Sequence, residues 1–557
     1  MAAGTKPNRT WSTPPCPWEP AKLRPKNRAS RATRRLNLRR ACQYDGPAVC
    51  RLYVTPAKGE GSSETKPEHV DFPRTPTTAA AILLPETNMI QRALIAACPV
   101  LCVACDGGSG TAKSTGETVV LIFVDTLRAD HLGTYGYAQP TSPTIDALAA
   151  SGVKFTSAYA ASPWTYSSTA SLVTGLYPAG HGAIMPGIAK DQGANPSVSA
   201  LSPGFETMPE RFAAAGFRTA LFASNGYLAS GNEQGFQTYM NTWHYPAKGQ
   251  VERALTWLNS VPAETSAFLM VHFIDVHSPN RPTDESVRIF PALAALTAPE
   301  REAAAKFRIP LDTSPGGIDA TTLARRMGTY DASIRDVDSS VADLLRGVGA
   351  LRKHPLVIFT ADHGESFGDH QQLERSLYSD PRKVGGVGHG QAFFDEVVRV
   401  PLIISQPGVV SPSTVNDRVS LIDVLPTVLD LLGMPPVEDA DGRSLRPLLK
   451  GQSVPVLPLF FDSVCFGRDK QGILDGRWKF TQSDSEPDLL VDIEADPAEQ
   501  TNLAAAHPEE VRALRQKISE ALALSSARGA PYRSAAPAIH TPDEAERAQL
   551  IELGYIE

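Results

Sequence analysis

LVIFTADHGESFGDH, residues 356–370, decides the fold. An apolar run leads straight into Asp362 and His363, as in a buried parallel strand that delivers polar side chains at its carboxyl end. VVLIFVDTLRADHLG, residues 119–133, repeats the pattern around Asp125. Between them lie PWTYSSTASLVTG (163–175) and FLMVHFIDVHSP (268–279), and VGHGQAFFDEVVRVPLII (387–404) follows. Asp125, Thr165, Asp275, His277, Asp362, His363 and His389 therefore fall at or near strand ends and helix starts. Such a set of oxygen and nitrogen donors suits a metallohydrolase. In open α/β sheets, ligands collect at this edge.

From residue 118 onward, strand and helix patterns alternate. VVLIFVD reads as a strand, and SPTIDALAASG as a helix with Ser142 as cap and Gly152 as stop. FETMPERFAAAGFRTALFAS and VERALTWLNS…AFLMVHFID each repeat helix then strand. YDASIRDVDSSVADLLRGVG is a long amphipathic helix before LVIFTADHG. The expectation is an α/β domain over 118–453, a doubly wound, mostly parallel sheet with helices on both faces. Residues 280–318 read as an insertion near the site, a lid or a surface excursion. From Val454 the signal changes: PLFFDSV, GILDGRWKF and DLLVDIEADP read as short antiparallel strands, and HPEEVRALRQKISEALA as a closing helix. That predicts a smaller α+β subdomain over 454–525. The tail, 526–557, carries a capped short helix.

The 557 residues have a net charge of −7, unevenly spread. Residues 1–88 hold 15 Lys/Arg against 7 Asp/Glu, a balance of +8 that leaves −15 for the rest. An acidic body argues against nucleic acid as substrate. Six of the seven cysteines precede residue 106, and Cys465 alone lies in the body. No internal disulfide framework or Cys-rich metal site is possible there.

Residues 1–88 read as a disordered basic extension. From Met89 the chain runs MIQRALIAACPVLCVACDGGSG, which has the layout of a secretory signal over 89–105 and a polar linker over 106–117. CVAC resembles a bacterial lipoprotein processing site with Cys105 lipidated, and IAAC, ending at Cys98, is the alternative. The expectation is translation from Met89 and an exported protein, periplasmic or anchored in the membrane only through that lipid. The apolar stretch is shorter than the ~20 residues a spanning helix needs.

The body resembles the sulfatase branch of the alkaline phosphatase superfamily. The matching pieces, in order, are VDTLRADHLGTYGY, PWTYSSTASLVTGLYPAGHG, VHFIDVHSP, FTADHGESFGDH, HGQAFFDEVVRVPLII, LIDVLPTVLDLLG, DGRSLRPLLKG and DGRWKF…DIEADPAEQTNL. They run from about Val119 to Leu503. The resemblance implies hydrolysis or transfer of phosphate or sulfate esters through a metal-bound oxygen nucleophile. Sulfatases place a Cys or Ser, converted to formylglycine, in a C-x-P-x-R pattern ahead of an apolar pair and Thr-Gly. Counted back from Thr174-Gly175, Thr165 takes the nucleophile position, Ser167 the Pro and Thr169 the Arg. Threonine cannot become formylglycine. Asp125-Thr126 replaces the family's paired Asp, and His389 stands where many members have Lys. These departures point towards phosphodiesterase and phosphotransferase relatives that use an unmodified Thr.

On that alignment Thr165 is the nucleophile, with Ser162, Ser167 and Ser168 as local rivals. Asp125, Asp362 and His363 hold the divalent cation that activates it, and the His shifts preference from Ca²⁺ to Zn²⁺ or Mn²⁺. Asp275 and His277, two apart on an expected strand, point to one face. With His389 they hold a second ion, or else His277 and His389 touch the ester and one protonates the leaving group. His272 reads as core or support. Arg128, Asp130, His131 and His181 read as braces, and Cys465 as an inert buried thiol. The leading expectation is a metal-dependent hydrolase of small phosphate mono- or diesters with a covalent threonine intermediate. An arylsulfatase-like hydrolase and a degenerate exported binding protein are the alternatives. A phosphotransferase is disfavoured because such relatives carry several membrane helices.

Overall fold

The computed structural model describes residues 116–553 apart from 187–196, 244, 306–319, 383–385 and 535–536. The basic extension, the signal segment and the linker up to residue 115 lie outside the described residues.

Among the described residues an eight-stranded sheet forms the centre. Its strands are β1 (Thr118–Val124), β2 (Val153–Tyr159), β3 (Arg218–Ala223), β4 (Thr238–Asn241), β5 (Ala267–Phe273), β6 (Leu356–Ala361), β7 (Arg399–Ser405) and β8 (Ser413–Ser420). Their spatial order is β8-β2-β7-β6-β1-β5-β3-β4. β1 pairs in parallel with β5 and β6, β3 with β4 and β5, and β8 with β2. β7 alone runs antiparallel to both neighbours. Every residue of β1, β5 and β6 is buried, because helices cover both faces of the sheet. That two-sided burial is why these segments read as continuous apolar runs rather than as alternation.

The helices that matter for the site are α1 (Pro143–Ser151), α2 (Thr165–Thr174), α3 (Ala247–Ser260) and the 32-residue α4 (Ala320–Leu351). α2 is buried on every side although its sequence, TYSSTASLVT, is rich in hydroxyls. Burial is tolerated because most of these groups are bonded. The Ser167 Oγ donates to Ala183 O, the Ser168 Oγ to Asp362 O, and the Thr174 Oγ1 to Ala170 O. The Ser142 hydroxyl, expected to cap α1, is held between Gly133 N and Asp146 instead. The first amides of α1 find Asp338 of α4, which accepts from Thr144 N and Ile145 N at 2.9 Å.

In the insertion, residues 284–305 form short helices, and Val287, Phe290 and Leu293 pack with Ala332 of α4. The C-terminal part holds a four-stranded antiparallel sheet, Leu459–Phe461, Lys470–Asp475, Trp478–Ser483 and Leu489–Asp492. GILDGRWKF is thus the core of a hairpin, turning at Gly476 with φ +56°. Helix α5 (Pro508–Gly529) closes this sheet with Leu514, Ile518 and Leu522 against Ile473, Phe480 and Leu490. A further helix, α6 (Glu544–Glu552), starts at a capping box formed by Asp543 and Glu546.

Candidate active site

β1, β2, β3, β5 and β6 share one direction, so their carboxyl ends open onto one edge. Asp125 follows β1 directly, and Asp362 follows β6. Val124 lies opposite Ala361 in the β1–β6 register, so the two carboxylates leave the sheet side by side. Ligand atoms of Asp125, Asp362 and His363 all lie within 4.8 Å of one another, and the three side chains are fully buried.

Local backbone geometry aims them. Thr126 sits at φ +56°, a rare conformation for a residue with a Cβ, and its N–H donates to Asp362 Oδ1 at 3.1 Å. The His363 amide donates to the same oxygen at 2.8 Å. Asn225 Nδ2 donates to Asp125 Oδ2 at 2.7 Å, and His272 Nε2 lies 3.4 Å from that oxygen. The other oxygens, Asp125 Oδ1 and Asp362 Oδ2, are buried and have no hydrogen-bond partner among the described residues. His363 Nδ1 meets Gly364 O at 2.8 Å, a contact only its N–H can make, which leaves Nε2 as the lone-pair nitrogen. That nitrogen faces Asp362 Oδ2 at 3.5 Å and Asp125 Oδ1 at 3.9 Å. Two buried carboxylate oxygens and one imidazole lone pair thus converge, which is the donor set a divalent cation takes. Burial works against the charge of Asp125, but His277 and His272 outweigh it and hold the carboxyl well below the usual range. Burial and the neighbouring Asp125 charge push Asp362 up.

Thr165 is the first residue of α2, after Trp164. Its Oγ1 is 3.3 Å from His363 Nε2 and 3.5 Å from Asn225 Nδ2. The free amides of a helix start favour an anionic ester there. Ser167 and Ser168, its local rivals, are tied to Ala183 O and Asp362 O, and Ser162 Oγ to Ser463 O.

His277 and His389 come together with ring centres 5.1 Å apart, and the His389 ring lies 4.4 Å from that of His363. His389 Nδ1 is 3.5 Å from the buried Glu365 carboxylate. Burial pulls the His389 pKa down to about 4, so the ring is neutral at pH 7. Asp275 does not join them as expected. β5 ends at Phe273, and the chain turns so that His277 N bonds Ile274 O at 2.8 Å. The two-residue alternation needs extended backbone, and here it has ended. Both oxygens of Asp275 accept from Ala247 N, at 3.1 and 3.0 Å, capping the start of α3. Among the described residues, Asp275, His277 and His389 do not form a cation-ligand group.

Sequence reasoning missed Asn225 and Glu365 and left His272 as support. Asn225 was findable: it stands two residues beyond the end of β3, on the same sheet edge. The expected braces are tied into the structure. Arg128 bonds Asp130, Asp369 and Glu365 O, His131 meets Asp331 at 2.7 Å, and His181 meets Ser171 at 3.0 Å.

A second buried group, His370, Glu396 and Glu499, has similar composition. There His370 Nδ1 meets Glu396 at 2.8 Å and Nε2 meets Ala498 O at 2.7 Å, so both nitrogens donate. Burial opposes that charge, but Glu396 outweighs it and lifts the imidazole to about 9. Glu499 pairs with Lys479 at 2.7 Å. No lone pair remains on His370 for a metal.

Comparison with known proteins identifies the family. The family described as Sulfatase matches residues 117–434, and the one described as N-sulphoglucosamine sulphohydrolase, C-terminal, matches 389–527. Human arylsulfatase A is 28% identical over 463 residues, covering 73% of this chain and 88% of that protein. Choline-sulfatase of Rhizobium meliloti is 29% identical over 230 residues, 40% of this chain and 41% of its own. Among solved structures, the phosphonate monoester hydrolase of Agrobacterium radiobacter has a TM-score of 0.57 at 21% identity, covering 73% of this chain and 96% of its own. BT4656, solved with its substrate D-glucosamine-2-N,6-O-disulfate, has a TM-score of 0.58 at 17% identity, covering 73% and 98%. The sheet and the extent of the family match together make this chain a member of the sulfatase family, in the alkaline phosphatase superfamily, and a hydrolase.

Proposed function

We propose that this chain hydrolyses small phosphate mono- or diesters, with Thr165 as nucleophile and a transient phosphothreonine. The observation that carries the reading is the Thr165 hydroxyl, at a helix start, 3.3 Å from His363 Nε2 and beside two partnerless carboxylate oxygens. A divalent cation held by Asp125, Asp362 and His363, with Zn²⁺ or Mn²⁺ favoured, would draw charge from the Thr165 oxygen and the ester. With its proton lost to solvent, Thr165 Oγ1 attacks phosphorus and the bond to the leaving alcohol breaks. His277 gives that alcohol its proton. Asn225 Nδ2, between Asp125 and Thr165, steadies negative charge on the attacked group. Neutral His389 then accepts a proton from the water that attacks the phosphothreonine, freeing phosphate and Thr165.

Threonine favours phosphate over sulfate. A formylglycine enzyme releases sulfate by breaking its own hydrate, and Thr165 has no such route. The competing reading, an arylsulfatase-like activity, draws on the similarity to arylsulfatase A across 73% of the chain. One panel separates the two: nitrophenyl phosphate, a nitrophenyl phosphodiester and nitrophenyl sulfate, with and without chelator. Phosphate hydrolysis with an acid-stable phosphoryl group on the Thr165 peptide supports the proposal, and turnover of the sulfate alone overturns it. The layout of 89–105 supports export with lipid on Cys105, which the mass of the native N-terminal peptide tests.

A further inference from the structure

The nucleophile is followed by Tyr166, whose fully buried hydroxyl reaches backbone only. It bonds Ser199 O and Ser230 O, each at 2.9 Å, and accepts from Leu201 N at 3.1 Å. Segment 197–201 is therefore fixed to the residue beside Thr165 along one edge. Its other edge carries the C-terminal tail. Ala200 N donates to Ala538 O at 2.8 Å, and Ile539 and His540 pair antiparallel with Ser199 and Val198. Ser197 Oγ and Thr541 Oγ1 are 2.9 Å apart. Neighbouring residues of a strand present their backbone groups to opposite sides. Here Ser199 and Leu201 face Tyr166 while Ala200 faces the tail. Beyond the tail strand, Leu550 and Leu553 are buried in the main core, so the tail is fastened at its far end as well.

We propose that residues 538–553 are a strap that positions Thr165, acting through segment 197–201 and the Tyr166 hydroxyl. This rests on Thr165 being the nucleophile. No tail residue belongs to the Asp125, Asp362 and His363 group. It fixes the first turn of α2, where displacement of about 1 Å can cost about 100-fold in rate.

Two full-length variants test it. Tyr166→Phe removes the hydroxyl and keeps the ring. His540→Pro removes an amide from the partly exposed tail strand. Each is expected to lower kcat about 10- to 100-fold, with KM and bound cation unchanged. The double variant is expected to be no slower than Tyr166→Phe alone, because the strap acts through that hydroxyl. A general loss of packing would instead raise KM, lose cation and give additive effects, and that pattern overturns the proposal. Wild-type kcat in both single variants overturns it too. If His540→Pro does not fold, Thr541→Val, which removes only the hydroxyl facing Ser197, carries the same test with a smaller fall. Thr165→Ala, run alongside, separates the two ideas. An active Thr165→Ala protein defeats the nucleophile assignment itself, whereas a dead one beside fully active strap variants defeats only the strap.

Discussion

Two buried clusters of this protein contain nearly the same residues and do opposite things. Among the described residues, Asp125, Asp362 and His363 leave two buried carboxylate oxygens without a hydrogen-bond partner. His370, Glu396 and Glu499 close on themselves, with a doubly donating imidazole and Lys479 supplying positive charge. Residue type does not distinguish a cation site from an internal ion network. The distinction is whether the protein's own donors and charges already satisfy the oxygens.

The sharpest way to break the comparison is at Thr165, the proposed nucleophile. Thr165→Ala is expected to cut ester hydrolysis by about 10,000-fold or more while bound cation is retained, because the ligands remain. Turnover kinetics and elemental analysis on one preparation check both halves. Asp362→Asn should lose cation and activity together, by on the order of 1,000-fold. Glu499→Gln in the other cluster should leave metal content unchanged. If Glu499→Gln strips the ion, the division between the clusters fails. Asn225→Ala is expected to lower kcat by about 100- to 1,000-fold without removing cation, since its amide serves Asp125 and Thr165 rather than the ion.

The self-closed cluster makes a pH prediction. The His370 pKa is raised in the folded state, from 6.5 to about 9. Its ion pair with Glu396 is therefore fully in force below pH 6.5 and is lost as pH rises towards 9. Urea midpoints across that window should fall in the native protein, and the fall should shrink in His370→Gln. The smallest effect belongs to Asp275. Asp275→Ala should cost about 1 kcal/mol through the lost cap on α3 and leave catalysis unchanged. Loss of cation in that variant would restore Asp275 as a ligand.

The sequence alone carried the strand ends. LVIFTADH and VVLIFVD are so continuously apolar that only a strand covered on both faces accommodates them, and the polar residue after each must then stand at the sheet edge. Asp125, Asp362, His363 and the helix start at Thr165 were legible for that reason. Tertiary structure decided what depends on contacts between distant segments. Asp275 looked like a neighbour of His277, but the strand ends before them and the carboxylate turns to α3. Asn225 and Glu365 meet Asp125 and His389 across gaps of 100 and 24 residues, which no local period records. Ser142 looked like the cap of α1, yet Asp338 of α4 takes its amides. Periodicity reports which side of an element is buried. It does not report which buried oxygen will find a partner, and that pairing, set by the packing of the whole sheet edge, separates the cluster that can take a cation from the one that cannot.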